Sequence, residues 1–226
     1  MFDDAGIWLF LDGSGLNPRV GLWRSGRWLA YREGPAPALA ALYGGVRELV
    51  REAGVAWAEL GGYLYVDGPG SVLGLRLTAM AVRTWQTDDA AKPGQTSRPV
   101  LACGSLQLAA ALARAVQIPT PFGIFTESRQ GRWHVLTVNG DGTNSSPAEV
   151  GENELPAGIL FHLAARKAWS KPPAHAQPLP ATLRDHPEIV GRPGLFNPAA
   201  TAIPYSVQAP EYKKWEGGAK EVGGRR

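Results

Sequence analysis

A single cysteine, Cys103, in 226 residues excludes an intramolecular disulfide and any cysteine-rich metal site. It is expected to be a buried, inert thiol. Histidine is scarce too. His134, His162, His175 and His186 are scattered with no pair at i, i+4, which argues against a zinc or iron centre. Long apolar runs are missing. The first run, residues 7–11 (IWLFL), is far shorter than the ~20 residues of a membrane-spanning helix, and it follows Asp3 and Asp4 rather than a basic leader. The expectation is a cytoplasmic protein with no membrane contact. Charge bias is small: 23 Lys and Arg against 20 Asp and Glu give +3, and residues 209–226 alone hold five bases against three acids. With a nearly neutral body, the pI of 9.1 is a poor argument for direct nucleic-acid binding. No repeat of solenoid length is present.

Glycine and proline are abundant, 28 and 19 residues, and they mark the ends of the elements. Residues 7–11 read as a buried strand closed by Asp12, Gly13, Ser14 and Gly15. Residues 20–23 and 28–31 read as a hairpin with Gly26 in its turn. Leu39, Leu42, Tyr43, Val46, Leu49, Val50 and Ala53 recur at helical spacing up to Gly54, with Gly44 and Gly45 weakening the middle. Residues 63–66 make a fourth strand, parallel to the first if a helix crosses between them. A second helix, from Ser71 to about residue 86, is apolar nearly all round and needs cover on more than one side. Residues 87–98 read as a loop, 99–102 as a fifth strand, and 106–115 as a third helix capped by Ser105.

After Pro121 a smaller unit begins, with a hairpin over 122–126 and 133–138 and a helix over 157–169 that carries His162. From residue 170 the chain is rich in Pro, His and Ala. It is expected to be mobile or surface-bound, with short extended pieces at 188–190 and 202–207 and disorder over 217–226. The resulting division is an N-terminal lobe over 1–118, a smaller lobe over 119–208 and a basic tail over 209–226.

Between the fourth strand and the second helix lies GPGSVLGLR, residues 68–76. Ser71 is placed to cap the helix, and Gly68 and Gly70 permit positive φ and leave the backbone bare. Such a turn either cradles an anion at a helix N-terminus or admits a closely packed neighbour. The order of elements is that of a ribonuclease H-like lobe, the building block of nucleases and of actin-like ATPases and sugar kinases. The expected fold is therefore α/β, with two lobes and a mixed five-stranded sheet in the first.

That fold leaves two activities open. A metal-dependent nuclease would use Asp12, Glu48 and Asp67, whose plain readings are a turn aspartate, a solvated helical glutamate and a loop aspartate. An actin-like phosphotransferase would use Asp12, Gly13 and Ser14 as its first phosphate loop, but the second lobe offers no counterpart. Asn139, Gly140, Asp141 and Gly142 look like a hairpin turn. Arg76 sits in a first helical turn, where the dipole disfavours a cation, so it calls for a carboxylate partner. Arg129 in its hairpin turn is either an ion pair or a ligand group.

With GPGSVLGLR in view, the chain resembles the TsaB (YeaZ) family, whose members carry Gly-Pro-Gly-Ser, then commonly an aromatic residue and Thr, then Gly-Leu/Val-Arg in an actin-like lobe. Leu9 to Ser14 is similar to the family's first strand and Asp-Thr-Ser turn. Glu48 to Gly54 resembles the end of its first helix, and Cys103 to Leu106 the start of its third. Ser128 to Gly131 resembles its hairpin, and Ile203, Pro204 and Tyr205 its closing Pro-x-Tyr. Gly13 stands where the family has Thr, and Val72 and Leu73 where it has Phe and Thr.

The resemblance implies a non-catalytic subunit. Such a subunit pairs with a TsaD-like catalytic paralogue to make threonylcarbamoyladenosine beside the tRNA anticodon. It meets tRNA only indirectly, works with a TsaE-like ATPase, and forms a homodimer when alone. No cofactor or metal is implied for the chain itself, with ATP confined to the assembled complex. The implied partner surface is on the first two helices: Leu39, Leu42, Tyr43, Val46, Gly74, Leu77, Met80 and Ala81. Gly68, Pro69, Gly70, Ser71, Gly74 and Arg76 form the motif turn, and Asp12, Gly13 and Ser14 a vestigial nucleotide site.

Overall fold

Alternation along the first strand, β1 (Ile7–Asp12), sets the architecture. Ile7, Leu9 and Leu11 point to one face and Trp8 and Phe10 to the other, and all five are buried, so the sheet is covered on both sides. The computed structural model describes residues 5–35, 37–92, 96–164 and 169–205. A hairpin of β2 (Arg19–Arg24) and β3 (Arg27–Glu33) pairs antiparallel to β1, turning through Ser25 and Gly26 at positive φ. The next two strands, β4 (Leu60–Gly68) and β5 (Val100–Gly104), run parallel to β1 in the order β5-β4-β1-β2-β3. Helical crossovers provide those parallel steps.

The first crossover begins as a π-helical turn, Ala40–Gly45, and becomes α1 (Val46–Glu52), with Gly54 ending it at φ +64°. The wide turn falls on Gly44 and Gly45, where helix propensity is weakest. The second crossover, α2 (Val72–Ala90), runs four residues past its expected end. Asp89 explains the extension: it is buried, accepts from the Tyr63 hydroxyl at 2.9 Å and pairs with Arg98. Arg98 in turn donates from Nε to the Leu60 carbonyl at 2.7 Å and from Nη2 to the Trp57 carbonyl at 2.9 Å. The expected loop over 87–98 is thus part helix and part of a buried polar network. Cys103, on β5, is buried and unpaired, and burial pushes its thiol well up.

The third helix, α3 (Ser105–Ala115), leads to a second sheet. Its central hairpin is β6 (Phe122–Arg129) with β7 (Arg132–Val138), flanked by β8 (Ala148–Gly151) on β7 and β9 (Ile159–His162) parallel to β6, with β10 (Gln177–Pro178) outermost. The strand β9 replaces the helix expected over 157–169, of which residues 165–168 lie outside the described residues. Leu160 packs with Phe125 and Trp133, whereas Phe161 packs with Phe122 and Leu106, so consecutive residues face opposite ways. His162 therefore stands on a strand.

The Pro-rich stretch is not a mobile appendage. Leu183, Ile189, Val190 and Phe196 are buried against Trp8, Phe10, Trp23 and Leu64, completing the sheet face that α3 leaves uncovered. Trp23 and Trp28 donate their indole N–H groups to the carbonyls of Pro187 (2.8 Å) and Leu183 (2.9 Å). Residues 187–191 form a 3-10 turn where an extended piece was expected, and β11 (Asn197–Ala199) adds a sixth strand antiparallel to β5. Residues 183–205, expected in the second lobe, thus belong with the first. Residues 206–226, including the expected tail, lie outside the described residues. Among the described residues no helix is long and apolar enough to cross a membrane.

Candidate functional site

The motif turn meets the turn after β1, and backbone atoms fill their junction. Gly68 and Gly70 have φ of +122° and +156°, and the Gly68–Pro69 bond is cis. The Ser71 N–H donates to the Ser14 carbonyl at 2.7 Å, and the Ser71 hydroxyl accepts from the Gly74 N–H at 3.3 Å, the expected cap. A Cβ on Gly13 would lie 2.6 Å from both the Gly74 carbonyl oxygen and the Thr78 Oγ1. A Cβ on Gly70 or Gly74 would run into the backbone of Ser14 or Gly13, respectively. The position that carries Thr in the TsaB family has no room for a side chain here. The glycines of both turns serve close approach, and the amide that a phosphate would take at Ser71 is spent on Ser14.

Asp12, the central residue of the vestigial nucleotide site, is equally committed. It is fully buried, accepts from the Ser14 N–H at 2.7 Å and from Arg19 Nε at 2.9 Å, and forms an ion pair with Arg19. Burial opposes charge on Arg19, but Asp12, Tyr31 and Glu33 together outweigh it and hold the guanidinium charged. The cleft between the lobes narrows here to a cavity of about 290 Å³ bounded by Ser14, Arg19, Ser105, Thr126 and His162. Its polar groups are turned inward. Ser105 donates to the Pro69 carbonyl at 2.5 Å, Thr126 donates to the Leu163 carbonyl at 3.0 Å, and the Leu16 N–H bonds the Ala164 carbonyl at 3.0 Å, tying the β1–β2 turn to the second lobe. Ser105 was expected to cap α3, but Gly104 holds that position. His162 borders the cavity with its pKa lowered by burial.

The carboxylates proposed for a nuclease do not converge. Asp12 pairs with Arg19, while Glu48 pairs with Arg32 at 2.6 Å on the solvent face of α1. Asp67 lines a different cavity, and among the described residues no three His, Cys, Asp or Glu side chains group as a metal site. Arg129 is an exposed ion pair with Glu149 at 3.1 Å. Arg76 has no carboxylate partner among the described residues and stands exposed beside Met80, Arg83 and Pro204.

The eight residues implied for a partner surface divide in two. Leu42, Val46, Gly74 and Ala81 are buried within this chain, because the most apolar faces of the two crossover helices turn towards their own sheet and the β1–β2 turn. They are withdrawn from any partner surface. Leu39 and Met80 are exposed, and Tyr43 and Leu77 are half-buried, with Tyr43 packed on Trp85 at 5.8 Å. Two further apolar residues of α2 that sequence reasoning did not single out are also exposed: Val72 and Leu73, at 61% and 67%. The available signal was their place in the first turn after Ser71.

No family model matches the chain, and no curated protein matches its sequence. Solved structures do. A Pseudomonas aeruginosa protein described as uncharacterized with similarity to the peptidase YeaZ aligns over 90% of this chain and 100% of its own, at 21% identity and TM-score 0.64. YeaZ from the same organism aligns over 89% of this chain and 100% of its own, again at 21% identity and TM-score 0.64. A hexokinase from Thermus thermophilus overlays 62% of this chain and 48% of its own at 20% identity and TM-score 0.35, too loosely to carry an argument. The two mixed sheets, the crossover helices of the first and the alignment over about nine-tenths of the chain show that this chain has the α/β fold seen in YeaZ.

Proposed function

We propose that this chain is a non-catalytic partner subunit of the TsaB (YeaZ) type, pairing with a TsaD-like catalytic paralogue in the threonylcarbamoyl modification of tRNA. The observation that carries the reading is the closed junction of the two glycine turns. Where an actin-like phosphotransferase needs free amides and a free acid, Ser71 N–H bonds Ser14 and Asp12 is held by Arg19. The fold shared with YeaZ supports the reading. So does apolar exposure on the crossover helices, where Val72, Leu73 and Met80 of α2 and Leu39 of the first crossover all stand outside the core.

The paralogue supplies the catalytic groups and any ATP site, a TsaE-like ATPase acts on the assembled pair, and tRNA is met through the complex. In its absence the same face pairs two copies of this chain. Deleting the gene in its source organism should lower threonylcarbamoyladenosine in total tRNA, read by nucleoside mass spectrometry. An unchanged level in the deletion strain overturns the assignment.

A further inference from the structure

A second cavity, about 520 Å³, opens at the carboxyl ends of β4 and β5, bordered by Gly68 and Pro69 at the start of the motif turn. In parallel α/β sheets this is where small ligands settle. Asp67 ends β4 on one wall, and Gln107 in the first turn of α3 stands beside it. Arg114 further along α3 and Arg192 from the returning segment also border the cavity. Asp67 Oδ1 is shut from solvent and has no hydrogen-bond partner, and the same holds for Gln107 Oε1. The two arginines meet only neutral acceptors among the described residues. Arg114 Nη2 donates to the Gly142 carbonyl at 2.6 Å and to Asn144 Oδ1, and Arg192 Nη1 reaches the Ala111 carbonyl at 3.4 Å.

One cavity thus holds an uncompensated carboxylate and two guanidinium groups that the fold keeps from pairing with one another. Opposite charges that line one cavity without pairing are complementary to a ligand that carries both signs. The geometry points to a binding site for a small zwitterion, an α-amino acid or short peptide, with its ammonium at Asp67 and its carboxylate at Arg114 and Arg192. The Gln107 carboxamide adds an acceptor for a further N–H, and Tyr205, whose N–H bonds the Asp67 carbonyl at 2.7 Å, closes one side. This site is separate from the partner face and does not depend on the proposed function.

The test is calorimetric titration of the full chain at pH 7.5 with L-alanine, L-alanyl-L-alanine, N-acetyl-L-alanyl-L-alanine and L-alanyl-L-alaninamide. Saturable binding of a free zwitterion, with each blocked peptide weaker by about tenfold or more, is the expected result. Asp67→Asn should erase the preference for a free ammonium, and Arg192→Ala, the preference for a free carboxylate. Circular dichroism confirms that both variants are folded. No saturation up to about 10 mM, equal binding of free and blocked peptides, or a wild-type preference in both variants overturns the site.

Discussion

Gly13→Ala is the sharpest perturbation of the closed junction. The added methyl would sit 2.6 Å from two atoms, Gly74 O and Thr78 Oγ1, well inside ordinary van der Waals contact. Thr78 is itself held, its hydroxyl donating to the Gly74 carbonyl at 2.9 Å, so neither neighbour can turn aside. The β1–β2 turn must move away from α2, stretching the 2.7 Å bond from Ser71 N–H to Ser14. Overpacking costs about 1–3 kcal/mol. Loss of one backbone hydrogen bond adds about 1 kcal/mol. The stiffer unfolded chain returns about 0.4–1 kcal/mol. The expected net loss is about 1–3.5 kcal/mol in urea or thermal unfolding. Gly44→Ala is the control: no atom lies within 4 Å of the methyl it would add, and it should stabilise by up to about 1 kcal/mol. A Gly13→Ala protein as stable as wild type would refute the close-packing account of the motif.

Further outcomes follow from the same contacts. Asp12→Asn strands the Arg19 guanidinium without its carboxylate, and the expected loss is about 3–5 kcal/mol, measured by chemical unfolding. Asp67 has its carboxyl raised to about 6 by burial. Its unfolded counterpart ionises near 3.8, so the folded state holds the proton more tightly and stability drops as pH rises from about 4 to 6. Asp67→Asn should therefore stabilise at pH 7.5 by about 1–2 kcal/mol, after allowance for solvent screening, and the gain should vanish below about pH 4. Unfolding curves across that range check the sign. Leu73→Asp, on an exposed helical position, should change stability by no more than about 0.5 kcal/mol while abolishing association with the catalytic paralogue.

Much of the first lobe was legible because its signals are local. The apolar runs of β1 and β4, the glycine at the β2–β3 turn and the Ser71 cap each follow from residues within one turn or strand of one another. The parallel pairing of β1 with β4 followed from the helical pattern between them. What escaped depends on distant partners. Asp89 reads as a polar helix terminus until Tyr63 and Arg98 are placed around it. Leu183, Ile189, Val190 and Phe196 are scattered among prolines and polar residues, and their burial comes from a sheet face assembled from residues 8–101. In β9, the run Ile159–His162 is short enough to suit either period, and its pairing with β6 decides. At the candidate site, the closure itself was foreseeable from glycine spacing. Which apolar residues of the crossover helices face outward was not, since the exposed Val72, Leu73 and Met80 are as apolar as the buried Leu75, Ala79 and Val82.

The central claim is that this chain acts by pairing with a catalytic paralogue. Multi-angle light scattering of the full chain mixed with the TsaD-like protein of its own organism addresses it most directly. A single species at the summed mass of the two chains, lost on Leu73→Asp, is the predicted result. Two species, each eluting at the mass it shows alone, would contradict the account.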